Sequence, residues 1–190
     1  MAISAGERTD ASGLRSQIVR GLPMAVPLAG VAVLAIGPSA LLLGPLYVAA
    51  VTAHLVRIDI DERRLPNRLV LPGYPAALAG IALHGLLSGA APTGALVSGA
   101  AWFGFFLLLN LGGGMGMGDV KLAGLLGLCL GSIGLVTAAA GVALAFLFGG
   151  IAGILVLVRR VGGLHERIPF GPFLLAGFWV AVALTPVLVP

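Results

Sequence analysis

The chain reads as a series of apolar runs separated by short polar or charged breaks. The first run covers 22–36 and ends at the turn signal Gly37-Pro38-Ser39, and a second covers 40–56. The third, 69–87, carries Pro72 and Pro75 in its first turns, where a missing N–H costs least. After an uncharged turn at 88–93, a fourth run covers 94–111 and includes Trp102. A short run at 120–130, starting at or just after Asp119, is marginal for a full crossing and is expected to pack inside a bundle. Gly131-Ser132 is expected to break it. The sixth run, 133–158, contains Gly141, Gly149, Gly150 and Gly153, small residues that let helices approach closely. Gly141 is expected to serve packing alone, so that alanine there leaves activity near normal. The seventh run covers 173–189. Several runs reach the roughly 20 residues that a membrane-spanning helix needs. The pattern predicts an all-α polytopic membrane protein, a bundle of about seven helices. It is organised as a polar tail, 1–20, and a single transmembrane domain, 21–190, with no second domain or internal repeat.

Composition sharpens this reading. The sequence is 59% hydrophobic and 9% charged, with a mean hydropathy of +1.10. A soluble domain averages about 25% charged residues, which excludes a soluble globular protein. The net charge of +4 comes from 11 Lys+Arg against 7 Asp+Glu. These charges sit in short breaks between apolar runs, so anionic membrane lipids account for them better than nucleic acid does. The tail, the 57–68 loop, the glycine stretch with Lys121 and the 159–167 loop hold every basic residue, whereas the turns at 37–39, 88–93 and 131–132 hold none. The positive-inside rule then places the N-terminus in the cytoplasm. A signal peptide is the competing reading of the tail, but no clean small-x-small site precedes a soluble domain. A single cysteine, Cys129, allows no internal disulfide and no Cys-rich zinc site.

Chemistry is concentrated at two carboxylates. Asp119 ends the stretch Gly112-Gly113-Gly114-Met115-Gly116-Met117-Gly118-Asp119 and is the only acidic residue between Glu62 and Glu166. An ionisable group at the edge of a membrane segment is a functional candidate by default. Asp59 lies at the same depth, at the end of the second run. If their helices touch, the two carboxylates share a poorly hydrated gap and cannot both ionise easily, so they hold one proton between them. Such a pair can activate water and protonate a peptide, with no metal or cofactor. Gly116 and Gly118 are expected to let backbone and substrate come within hydrogen-bonding reach of it. The plainer alternatives are a solvated loop in which Asp59, Asp61 and Glu62 pair with Arg57, Arg63 and Arg64, and a transporter using Asp119 as a proton or cation site. For Asp61 and Glu62 the solvated pairing is preferred. The residues alone leave protease and transporter even.

Three segments break that tie. Asp59-Ile60-Asp61-Glu62-Arg63-Arg64-Leu65-Pro66-Asn67 resembles the Asp-x6-Pro-(Asn/Asp) signature of type IV prepilin peptidases. Gly116-Met117-Gly118-Asp119-Val120-Lys121-Leu122 resembles their G-x-G-D-x-K-L motif, and Ile168-Pro169-Phe170-Gly171-Pro172-Phe173 is similar to a segment near the last helix of bacterial members. The resemblance implies an intramembrane aspartyl endopeptidase in a prokaryotic plasma membrane, with a six-helix peptidase core at about 40–190 plus one N-terminal span. It implies Asp59 and Asp119 as the catalytic pair, with Pro66, Asn67, Gly116, Gly118 and Lys121 positioning backbone and substrate. Family members remove the short basic leader of prepilins or pseudopilins at the cytoplasmic face, before an apolar helix. The signature falls on Asp59 rather than Asp61, and Asp59 is also nearer the bundle interior. Many bacterial members carry a loop with paired Cys-x-x-Cys motifs associated with N-methylation. This chain has only Cys129, and so resembles the short, peptidase-only type. Presenilin-like proteases share the G-x-G-D motif, but their first aspartate has a Tyr-Asp context that is absent here.

Overall fold

The computed structural model describes residues 23–159 and 169–188. The 1–20 tail, residue 22 of the first run, residue 189 of the last and residues 160–167 of the final charged loop lie outside them. Helix α1 is Pro23–Ile36. A single 3₁₀ turn, Ala40–Leu42, leads into α2, Leu43–Glu62, and the short α3, Asn67–Val70. There follow α4, Gly73–Ser88; α5, Thr93–Leu111; α6, Met117–Ile133; α7, Leu135–Arg159; and α8, Gly171–Leu188. No strand occurs among the described residues. Five segments are long and apolar enough to cross a bilayer: Ala40–Glu62, Asn67–Ser88, Thr93–Leu111, Leu135–Val156 and Gly171–Leu188. The protein is a multi-pass, all-helical membrane protein.

Helix α6 is the centre of the bundle. Every residue from Leu122 to Gly131 is buried, and the helix is in contact with α2's leading turn, α3, α4, α5, α7 and α8. A helix of Leu, Ala and Gly can be enclosed on all sides because no face carries a group that needs water. Its tightest neighbour is α5. A Cβ at Gly127 would stand 2.8 Å from the Ser98 carbonyl oxygen and 2.9 Å from Trp102, so glycine is what permits the close approach. Helices α2 and α8 run antiparallel and are pinned at mid-length, where Trp179 Nε1 donates to Thr52 Oγ1 at 3.1 Å. Counting seven residues on from Thr52 along α2, and eight back from Trp179 along α8, leads to Asp59 and Gly171. The mid-bundle bond thus sets the register at the charged end.

Several boundaries differ from the sequence pattern. The charged loop expected at 57–68 is helical through Glu62, because the Gly171 N–H on Asp59 holds that turn against α8 and an i,i+4 pair, Arg57–Asp61, spans its exposed face. Polarity marked the edge of the apolar layer, not the end of the helix. Helix α2 stops at Arg63, which has φ 53° and bonds its N–H to the Asp59 carbonyl at 2.9 Å. Helix α6 begins two residues before Asp119 and runs through Gly131-Ser132, which was expected to break it. The break comes at Gly134, with extended backbone. Gly131 stays helical because it lies against Ser98 and the Gly94 carbonyl of α5; tertiary contact overrides its weak helix propensity. Gly141 does serve packing, but its Cβ position is filled by Leu130, with Trp102 at 3.3 Å. Alanine there has no free room. Gly149 similarly faces Phe170, whereas Gly150 has no neighbour within 4 Å of its Cβ position.

Candidate active site

Asp59 occupies the last turn of α2 with only 3% of its surface exposed. Its Oδ2 accepts a 2.9 Å hydrogen bond from the Gly171 N–H, the first residue of α8. A carboxylate at a helix N-terminus meets both a free donor and the positive end of the helix dipole. The approach is so close that a Cβ on Gly171 would lie 2.7 Å from that same oxygen. Phe170 anchors the entry to α8, with ring centroids 6.1 Å from Phe106 on α5 and 5.3 Å from Phe146 on α7. Aromatic packing therefore fixes the donor, and the donor fixes the carboxylate.

Asp119 sits at the third position of α6. Its Oδ2 accepts from the Gly116 N–H at 3.3 Å, which is half of a capping box, since Gly116 has no side chain to return the bond. Its Oδ1 is buried and has no hydrogen-bond partner among the described residues. The glycine loop before it is held shut from within. Asn110 Nδ2 donates to the Met115 carbonyl at 2.7 Å, and Gly113, with φ 77°, bonds back to Asn110.

Leu65 ties the two aspartates together. The residue before Pro66 is confined to extended backbone, and here it directs its side chain inward, leaving 8% exposed. A Cβ on Gly118 would stand 2.9 Å from Leu65 Cβ and 3.2 Å from its carbonyl oxygen. A Cβ on Gly171 would stand 3.3 Å from Leu65 Cδ1. The residue preceding Asp119 and the residue bonded to Asp59 thus rest against one leucine, and burial, with the charge of Asp59 adding to it, holds the Asp119 carboxyl above the usual carboxylate range. The room left by Gly118 goes to Leu65 rather than standing open, and the Gly116 N–H is committed to Asp119.

The remaining motif residues form a second layer. Lys121 Nζ donates to Asn67 Oδ1 at 3.0 Å and joins α6 to α3, while the Tyr74 hydroxyl donates to the Lys121 carbonyl at 2.7 Å. Pro66 precedes α3 in extended conformation and makes its bend. The acids of the rim are separate from this layer. Asp61 pairs with Arg57 at 3.7 Å and Glu62 with Arg64 at 3.5 Å, all of them well exposed. Among the described residues no group of three or more His, Cys, Asp or Glu side chains could hold a metal ion. Sequence reasoning missed Leu65 and Gly171 as site residues. The first lay inside the Asp-x6-Pro signature and the second inside the Pro169-Phe170-Gly171-Pro172 segment, so the signal for both was present and unassigned.

The chain matches the type IV leader peptidase family over residues 46–158. It is 36% identical over 148 residues to the prepilin leader peptidase/N-methyltransferase of Aeromonas salmonicida strain A449, covering 74% of this chain and 48% of that protein. The Aeromonas hydrophila protein of the same name is 35% identical over 148 residues, 74% of this chain and 49% of that protein. The chain spans about half the length of these curated relatives. No solved structure matches it. The match to the family extends from the first turn of α2 almost to the end of α7 and takes in both aspartates, Leu65 and the Lys121–Asn67 bond; the chain belongs to the type IV leader peptidase family.

Proposed function

We propose that this chain is an intramembrane aspartyl endopeptidase that removes the leader from prepilin-like or pseudopilin-like substrates at the cytoplasmic face of a prokaryotic plasma membrane. Asp59 and Asp119 are its catalytic pair. The observation that carries this reading is that Gly118, next to Asp119, and Gly171, whose N–H holds Asp59, both pack against Leu65, although the two aspartates are 60 positions apart in sequence. The pair holds one proton. The ionised carboxylate takes a proton from water as the water oxygen bonds to the scissile carbonyl carbon, and the protonated partner gives its proton to the carbonyl oxygen. In the return step the protonated member gives its proton to the amide nitrogen, the ionised member takes a proton from one hydroxyl of the tetrahedral diol, the C–N bond breaks, and the pair again holds one proton. Burial of Asp59 favours such exchange because it keeps bulk water from solvating that charge. Membership of the leader peptidase family supports this over a transporter with Asp119 as an isolated cation site. The basic rim of α2, with Arg57, Arg63 and Arg64 beside the site, supports a cytoplasmic placement of that end.

The test is co-expression with a prepilin substrate, scored for leader removal. Wild type cleaves, whereas Asp59→Asn and Asp119→Asn insert normally and do not. Cleavage by either variant sinks the assignment of the pair. Ion flux into vesicles that is lost in Asp119→Asn, with no proteolysis by wild type, supports the transporter instead. A cysteine placed in the 57–68 loop of a Cys129→Ser background is shielded from an impermeant thiol reagent in intact cells, and one placed at Ala90 is labelled.

A further inference from the structure

A groove of about 540 Å³ opens between α4 and α5, with α6 as its floor. Leu71 and Leu78 form one wall, Leu96 and Phe103 the other, and Leu128 closes the far end. These walls are partly exposed at the outer surface of the bundle, where the surrounding solvent is hydrocarbon. The near end is different. It carries Lys121, whose only side-chain bond is to the neutral Asn67 Oδ1, and which has no ion pair among the described residues. The nearest acid along α6, Asp119, is two residues away and so points elsewhere. Tyr74 beside it has already spent its hydroxyl on the Lys121 carbonyl. Arg68, one helical turn before Leu71, is exposed and has no ion pair among the described residues. An apolar groove thus ends in an ammonium with no ion pair among the described residues, with a guanidinium nearby, at the end of the bundle where the charged residues lie.

We propose that this groove binds one anionic glycerophospholipid, its acyl chain lying between α4 and α5 and its phosphate on the Lys121 ammonium. An ammonium at the hydrocarbon edge is costly without a counter-ion, and a basic pocket between membrane helices is a recurrent site for acidic lipid headgroups. An apolar peptide helix would match the walls but leave Lys121 without an anion. Free phosphate would satisfy Lys121 but leave the groove to be filled by something else. Only a molecule with both parts answers both ends. The site is independent of whether the aspartates cut peptide bonds.

The experiment is native mass spectrometry of the purified full chain in detergent with equimolar phosphatidylglycerol and phosphatidylcholine of the same chain length. One phosphatidylglycerol is retained in preference to phosphatidylcholine. Lys121→Gln lowers that preference about fivefold, the effect of one basic residue near an acidic headgroup. Leu96→Trp fills the groove and reduces retention of both lipids, and Leu78→Trp, from the opposite wall, does the same if the first variant does not fold. Equal retention of the two lipids by wild type overturns the proposal, as does an unchanged preference in Lys121→Gln. Displacement of phosphatidylglycerol by inorganic phosphate at equal concentration overturns the acyl-chain seat. Displacement by a soluble-tagged apolar helix from a prepilin assigns the groove to substrate instead.

Discussion

Asp59 and Asp61 stand two positions apart at the end of one helix, yet they inhabit different solvents. The Asp61 side chain is 63% exposed and shares its charge with Arg57 across 3.7 Å. Asp59 is 3% exposed and is bound to the first N–H of α8. Adjacent acids in a run of charge look alike as composition. They differ because consecutive residues on a helix are separated by about 100°, so two steps turn a side chain from the bundle to the water. The charged end of α2 is therefore two regions, an exposed rim of ion pairs and a buried carboxylate keyed to another helix.

The largest expected effect comes from the buried side of that division. Asp59→Asn and Asp119→Asn each lower leader cleavage by at least about 100-fold, the usual scale for removing a general acid or base. The readout is the cleaved fraction at equal amounts of inserted protein. Next is Gly171→Ala, which places a methyl group 2.7 Å from the Asp59 Oδ2 and so crowds its hydrogen bond. Loss of a buried hydrogen bond to a charged group is worth about 1.5–3 kcal/mol, so turnover should fall by roughly 10- to 100-fold. Wild-type turnover would show that Asp59 does not depend on α8. Gly118→Val presses on Leu65 Cβ and its backbone. About tenfold lower cleavage is expected, with a thermal destabilisation on the scale of overpacking, about 1–3 kcal/mol. Its cause is strain within the protein's own chain rather than a side chain blocking substrate. A cleavage defect without any loss of stability would point back to the substrate.

Smaller effects test the other side. Gly141→Ala, against Leu130 and Trp102, should cost about 1 kcal/mol of stability while leaving cleavage per folded molecule within about twofold of wild type. A thermal melt beside the activity assay separates the two. At the bottom of the scale, Asp61→Asn and Glu62→Gln remove exposed ion pairs worth about 0–1 kcal/mol, and cleavage should stay within about twofold. If Asp61→Asn abolished cleavage while Asp59→Asn did not, the buried and exposed roles would have to be exchanged.

The class of fold and the approximate position of nearly every helix are legible in the pattern of apolar residues. A run of about 20 apolar residues has few choices in a bilayer, because a helix alone satisfies all its backbone groups without partners. It also singled out Asp59 and Asp119, since acids are too costly near hydrocarbon to pass unnoticed. Helix ends were less legible. Arg57 to Glu62 looks like a loop because it is charged, and Gly131 looks like a break because it is glycine, but packing against α8 and α5 decides both. Only the tertiary structure could show that Leu65 lies between the residues flanking the two aspartates, and that the donor to Asp59 is the backbone of Gly171, 112 positions away. A backbone N–H leaves no mark in the identity of a residue, and a leucine in an extended turn looks like any other. What each does depends on which helices meet, and that depends on the Trp179–Thr52 bond, the aromatic seat of Phe170 and the glycines that let α6 sit at the centre.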